Sequence, residues 1–115
     1  MWQKVRLGSF LLALLVGLSI PSISLGADDG TITIKSPEPG AVIQGDTVTV
    51  IWDQNKAGMA DHVHLIIDGR RQLPVLTASQ KSVKLSLGEH EITVQAATKD
   101  HKLLEPKASV TFRLE

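Results

Sequence analysis

Hydrophobic and polar residues alternate with a period of two through most of the chain beyond residue 30, and no stretch there keeps the 3.6-residue spacing of an amphipathic helix. Successive side chains of a β-strand point to opposite faces of the sheet, so this alternation predicts strands that are buried on one side. The pattern therefore predicts an all-β protein. Seven short strands are predicted at residues 31–34, 47–52, 62–67, 73–76, 83–87, 92–96 and 110–114.

Proline, glycine and aspartate mark the turns between these strands. The segment SPEPG at residues 36–40 ends the first strand because its prolines cannot donate a ladder hydrogen bond, and residues 41–43 are expected to continue the same edge strand. Turns are predicted at residues 68–69 and 88–89, and a polar loop at residues 53–60. Frequent turns between short strands are typical of a β-sandwich.

The predicted core is aliphatic except for two aromatic side chains. Trp52 and Phe112 are the only aromatic residues beyond the leader, and both fall on the predicted inward faces. Full burial of one large apolar side chain contributes about 1.5–3 kcal/mol, so Trp52 is expected to be the largest single anchor of the core. Carbohydrate sites usually stack sugars on exposed aromatic rings, which makes sugar binding a weak alternative function here.

The first residues have the pattern of a secretory signal peptide. Lys4 and Arg6 precede an apolar run of 11 residues, 10–20, which is followed by Pro21 and small residues. That run is too short to span a hydrocarbon core, which needs about 20 apolar residues. We expect a signal peptide at residues 1–26, a single domain at residues 27–115, no stable membrane span after cleavage, and a periplasmic or secreted protein. A cut after Ala27 and an uncleaved anchor are the alternatives.

Composition excludes several classes of function. Without the leader the chain has 10 Lys and Arg against 12 Asp and Glu, so its net charge of −2 does not favour nucleic acid or anionic membranes. Cysteine is absent, which excludes thiolate nucleophiles, thiolate-bound zinc and the blue-copper centre. No catalytic motif is present and a sandwich this small has little room for a water-excluding pocket, so we expect no catalytic residues and no enzyme.

Three segments resemble the bacterial immunoglobulin-like domains of exported proteins. They are SPEPGAVIQGDTVTVIW at residues 36–52, VHLIIDG at residues 63–69, and GEHEITVQAATKD with ASVTFRLE at residues 88–100 and 108–115. The resemblance implies an immunoglobulin-like (fibronectin III-like) antiparallel β-sandwich of about seven strands. Such domains serve as spacers, adhesive modules or ligand-binding units, so the fold alone does not fix the function. The histidines are a departure from the pattern of this family.

Histidines are the main functional clue. His62 and His64 alternate with the core residues of one strand and project to its other face. In the usual immunoglobulin-like order this strand pairs antiparallel with residues 91–98, which brings His101 and Met59 to the same end. Imidazole suits copper(II) and zinc, and a thioether favours copper(I). We therefore predict a copper or zinc site formed by His62, His64 and His101, with Met59 as a candidate fourth ligand.

Two further interpretations stay open at this point. Either Asp61 or Asp100 is a candidate metal ligand, or an acceptor that fixes an imidazole tautomer. His62 and His64 also fit a simpler description, in which they are polar residues on the solvent face of a half-exposed sheet. The domain would then be a metal-free structural or interaction module of the cell envelope that binds a protein partner, for instance by strand addition.

Overall fold

The structure, a computed structural model, describes residues 29–115, and the predicted signal peptide lies outside them. Two sheets pack face to face as a β-sandwich, which confirms the predicted fold class. The first sheet has the strand order β1-β3-β6 and the second β2-β8-β7-β4-β5. The strands are β1 (Gly30–Ser36), β2 (Val42–Ile43), β3 (Thr47–Lys56), β4 (His62–Ile67), β5 (Arg71–Val75), β6 (Gln80–Lys84), β7 (Gly88–Ala97) and β8 (Leu103–Leu114).

The core lies between the two sheets and follows the predicted alternation. Val48, Val50 and Trp52 point inward from β3, while the residues between them are exposed or half-buried. Trp52 and Phe112 are 2% and 1% exposed, so both predicted aromatic anchors are buried. The remaining buried side chains of the core are aliphatic: Val63, Leu65, Ile67, Val75, Val83, Ile92, Val94, Val110 and Leu114.

Strand β4 occupies the position that the sequence predicts for it. It lies between β5 and β7, and it pairs antiparallel with β7 in a register that joins His62 to Ala97 and Ile67 to Ile92. The beginning of β4 therefore lies beside the end of β7 and the turn that follows it. This pairing is the one on which the predicted metal site depends.

Strand β2 is additional to the seven predicted strands, and its pairing differs from the prediction. Residues 41–43 do not continue β1 but leave its sheet and pair in parallel with β8, where Val42 lies opposite Arg113. The intervening prolines offer no N–H to continue the first ladder, and Gly40 has a φ of +79°, which turns the chain away. The Gly40 N–H then donates to the Thr111 carbonyl at 2.8 Å, which begins the new pairing.

Strand bounds differ from the predictions at several places; β8, for example, begins at Leu103 instead of residue 110, and β6 ends at Lys84 instead of residue 87. Strand β3 runs through the first half of the predicted loop at 53–60, because it pairs with β1 as far as Lys56 opposite Gly30. Gly88 and Glu89, predicted as a turn, belong to β7 and pair with the end of β8. Leu87, predicted inward, is 63% exposed in the connection before β7. Residues 29–115 contain no helix that could cross a membrane.

Candidate metal centre

Three imidazoles meet on the outer face of the five-stranded sheet, where β4 begins. His64 Nε2 lies 3.2 Å from His62 Nε2 and 3.2 Å from His101 Nδ1. Each histidine offers one ring nitrogen to this cluster, and the three nitrogens lie within 4.8 Å of one another. Strand β4 supplies two of the rings, and the turn between β7 and β8 supplies the third. The structure thus brings together three of the four residues predicted for the site.

The two strand histidines are buried although they face away from the core. His62 is 2% exposed and His64 is 5% exposed. The ring of His101 lies against both, with centroid distances of 4.8 Å to His62 and 5.4 Å to His64. On the neighbouring strand β7, the half-buried Gln95 lies opposite His64. The description of His62 and His64 as polar residues on a solvent face is therefore wrong, because both side chains are buried and the ring of His101 lies against them.

The tautomers of the two buried imidazoles are set by their neighbours. His62 Nδ1 donates to the Asp61 carboxylate at 2.9 Å, and His64 Nδ1 donates to Gln72 Oε1 at 3.0 Å. The hydrogen bond from His62, more than the charges of His62, Lys56 and Lys99, holds the pKa of Asp61 below its usual value. A neutral imidazole carries one proton, so in the neutral form of each ring this arrangement leaves a lone pair on Nε2.

Two lone pairs that face each other at 3.2 Å in a buried site repel unless a positive charge lies between them. His62 and His64 therefore form a site that is suited to a cation and cannot be satisfied by a hydrogen bond between two neutral rings of these tautomers. In His62 and His64 the other ring nitrogen is held by an acceptor, which is also how metal-binding histidines are usually oriented.

His101 is presented by a three-residue hairpin turn. The Thr98 N–H donates to the Lys102 carbonyl at 2.9 Å, and the His101 N–H donates to the Thr98 carbonyl at 2.8 Å. His101 itself has a φ of +67°. In this type of hairpin the last loop residue adopts the left-handed conformation, a position at which glycine is favoured. A histidine there costs backbone energy, which is common for residues at functional sites.

Replacing His101 by glycine is expected to stabilise the metal-free domain. The left-handed conformation costs an ordinary residue about 1–2 kcal/mol. Glycine avoids this cost, but its larger entropy in the unfolded state cancels part of the stabilisation. We expect the free energy of unfolding to rise by about 0.5–1 kcal/mol in urea denaturation with a chelator present. As a control, Asp100→Gly in the same turn should lower it, since Asp100 does not have a positive φ. A loss of stability in both variants would contradict the assignment of strain to His101.

The other predicted residues lie outside the cluster. Met59 is in the β3–β4 loop with 69% of its surface exposed, and its role as a fourth ligand stays a prediction. Of the two candidate aspartates, Asp61 contacts an imidazole, whereas Asp100 is exposed in the turn. Sequence reasoning missed Gln72. Its signal is the hairpin register, which pairs Gln72 with Ile66 and so places it on the same face as His64.

The fourth histidine belongs to a separate cluster at the opposite end of β4. His90 Nδ1 donates to Asp68 Oδ2 at 2.7 Å, and His90 Nε2 donates to the Ser86 carbonyl at 2.7 Å. Both partners accept only, so His90 is doubly protonated here. The hydrogen bond to Asp68 raises the pKa of His90 above its usual value. Burial raises the pKa of Asp68, but the Glu91 N–H and His90 together outweigh it and hold that pKa below its usual value.

The His90–Asp68 pair is expected to make stability depend on pH. A raised histidine pKa stabilises the fold fully below the ordinary value of 6.5 and loses this effect as pH rises through the raised value, while Asp68 must stay ionised. We expect His90→Gln to cost on the order of 1 kcal/mol near pH 5.5 and much less at pH 9. Asp68→Asn should show the same pH dependence. A cost of His90→Gln that is equal at both pH values would contradict the charged pair.

Comparison with known proteins identifies the family. A family model described as a bacterial Ig domain matches residues 31–94. Because the match covers more than half of the chain, the protein belongs to this family of bacterial immunoglobulin-like domains. The resemblance seen in the sequence is thereby confirmed. No curated protein matches the chain.

Solved structures agree on the fold. The fibronectin(III)-like modules of Clostridium thermocellum CbhA match with a TM-score of 0.59 and 21% identity, covering 74% of this chain and 96% of that chain. An engineered protein matches with a TM-score of 0.54 and 15% identity, covering 75% of this chain and 20% of its own. Domains of these kinds are typically non-catalytic modules, and bacterial immunoglobulin-like domains typically occur in exported or surface proteins.

Proposed function

We propose that this chain is an exported immunoglobulin-like protein that binds one copper or zinc ion through His62, His64 and His101. The observation that carries the proposal is the meeting of three imidazole nitrogens within 4.8 Å, two of them on buried strand residues and the third on the exposed His101 of the adjoining turn. Its role would be to capture, deliver or sequester the metal in the periplasm or outside the cell. A protein partner in the envelope would then be the donor or acceptor of the metal.

The spacing of the donor atoms supports a first-row metal. Bonds of about 2.0–2.1 Å from a tetrahedral ion place two ligand nitrogens about 3.3 Å apart. The two distances from His64 Nε2 are both 3.2 Å, close to this spacing, and all three nitrogens lie within 4.8 Å of one another. Three neutral nitrogen donors suit copper(II) and zinc, and the general order of affinities places copper(II) above zinc.

The proposal is tested by titrating the purified protein with metal. Zinc should shift the imidazole resonances of His62, His64 and His101 together at one equivalent in 15N NMR, and copper(II) should give an electron paramagnetic resonance spectrum with nitrogen couplings. Copper(II) is expected to displace zinc. His90 is an internal control, because both of its ring nitrogens are held at the far end of the strand.

Silver(I), used as a copper(I) surrogate, separately tests the thioether of Met59, whose methyl resonance should move if it is a ligand. Three histidine resonances that stay unchanged with all three ions would refute the metal-binding function. The domain would then be better described as a metal-free interaction module of the envelope.

A further inference from the structure

Thr98 directly precedes the three-residue turn that carries His101, and its hydrogen bonds across that turn suggest a role beyond folding. It is 8% exposed and is one of three buried polar residues in the part of the chain that the structure describes, the other two being His62 and His64. Its hydroxyl accepts a hydrogen bond from the Lys102 N–H at 3.0 Å. Three of its polar groups, the N–H, the carbonyl and the hydroxyl, thus bind the two residues that end the turn.

The hydroxyl contact matters because of where it acts. His101 is followed directly by Lys102, so the bond between Thr98 Oγ1 and the Lys102 N–H fixes the chain on the far side of the left-handed residue. The bond between the Thr98 carbonyl and the His101 N–H fixes the near side. With both peptide groups held, the Cα–Cβ direction of His101 is set, and its ring is directed toward His62 and His64.

We propose that Thr98 is a positioning residue that holds His101 as the third ligand of the site. The proposal rests on the metal-binding function above. In a left-handed turn without this hydroxyl bond, the strain at His101 is relieved by opening the turn, which moves the imidazole away from the other two. Loss of a group that orients a metal ligand typically lowers metal affinity about 10- to 100-fold.

The test compares Thr98→Val, which keeps the shape of the side chain but removes the hydroxyl, with Thr98→Ser, which keeps the hydroxyl. We expect Thr98→Val to bind copper(II) about 10- to 100-fold more weakly than the unmodified protein, with one nitrogen fewer in the electron paramagnetic resonance couplings. Thr98→Ser should bind within about threefold of it. A purely structural role would lower stability without changing the number of nitrogen ligands.

A metal-free measurement separates this inference from the proposed function. In the unmodified protein, nuclear Overhauser effects should join the ring of His101 to those of His62 and His64, and Thr98→Val should lose them together with the slow exchange of the Lys102 amide. If neither the unmodified protein nor Thr98→Val binds metal, but the Overhauser effects are lost in Thr98→Val, the metal function fails and the positioning role stands. Unchanged Overhauser effects and unchanged affinity in Thr98→Val would overturn the inference. Thr98→Ala provides the same test if the valine variant does not fold.

Discussion

Replacing Trp52 by alanine is expected to unfold the domain at ambient temperature or leave it with a small remnant of its stability. Trp52 is the largest of the fully buried side chains and is 2% exposed between the two sheets. Tryptophan-to-alanine changes in a core cost about 3–5 kcal/mol, against a total stability of about 5–15 kcal/mol for ordinary domains. Circular dichroism and urea denaturation measure the outcome directly.

The expected loss of stability is large because the core has few large side chains. Phe112 is the only other aromatic residue in the core formed by residues 29–115, and no disulfide supports the fold because the chain has no cysteine. Leu87→Ala is the matched control, since Leu87 is 63% exposed and should cost less than about 0.5 kcal/mol. A Trp52→Ala variant with a melting transition close to that of the unmodified protein would contradict the assignment of Trp52 to the core.

Alternation predicts strands well because burial imposes it. Strand β3 shows the predicted inward row because a one-residue slip would expose the whole set that includes Trp52. The pairing of β2 is different, because it depends on hydrogen bonds to β8, whose partner residues lie 71 positions further along the chain. Two residues, Val42 and Ile43, are too short a strand to carry an alternation signal of their own. Long-range pairing of short segments is therefore what the sequence pattern leaves undetermined.

The same distinction applies to the candidate site, where some features follow from the fold class and others do not. The convergence of His62, His64 and His101 follows from the antiparallel pairing of β4 with β7, which a fold class is enough to predict. The burial of the two strand histidines does not follow from it, because burial on an outer face depends on which side chains of neighbouring segments pack there. The strained conformation of His101 does have a signal in the sequence, since His101 occupies the position at which a three-residue hairpin favours glycine. The contacts of Gln72 and Thr98 depend on the placement of individual side chains, which the alternation pattern does not specify.

The double substitution His62→Gln and His64→Gln is expected to abolish metal binding. It removes two of the three nitrogen donors and replaces them with amides, which are poor ligands for copper(II) and zinc. Since loss of a group that merely orients a ligand costs about 10- to 100-fold, loss of two ligands should cost more than about 100-fold in affinity. The matched control is His90→Gln, which makes the same chemical change at the far end of the sandwich and should leave affinity unaltered.

Thermal denaturation gives this experiment a second readout that depends on the folded site. A ligand that binds only the native state at 100 times its dissociation constant adds about 2.7 kcal/mol of stability. The unmodified protein and His90→Gln should both gain this stabilisation from copper(II) or zinc, whereas the double variant should gain none. Histidines also bind metals in unfolded chains, which lowers the melting temperature instead of raising it. A rise in melting temperature that survives the double substitution would place the metal elsewhere on the protein and refute the three-histidine centre.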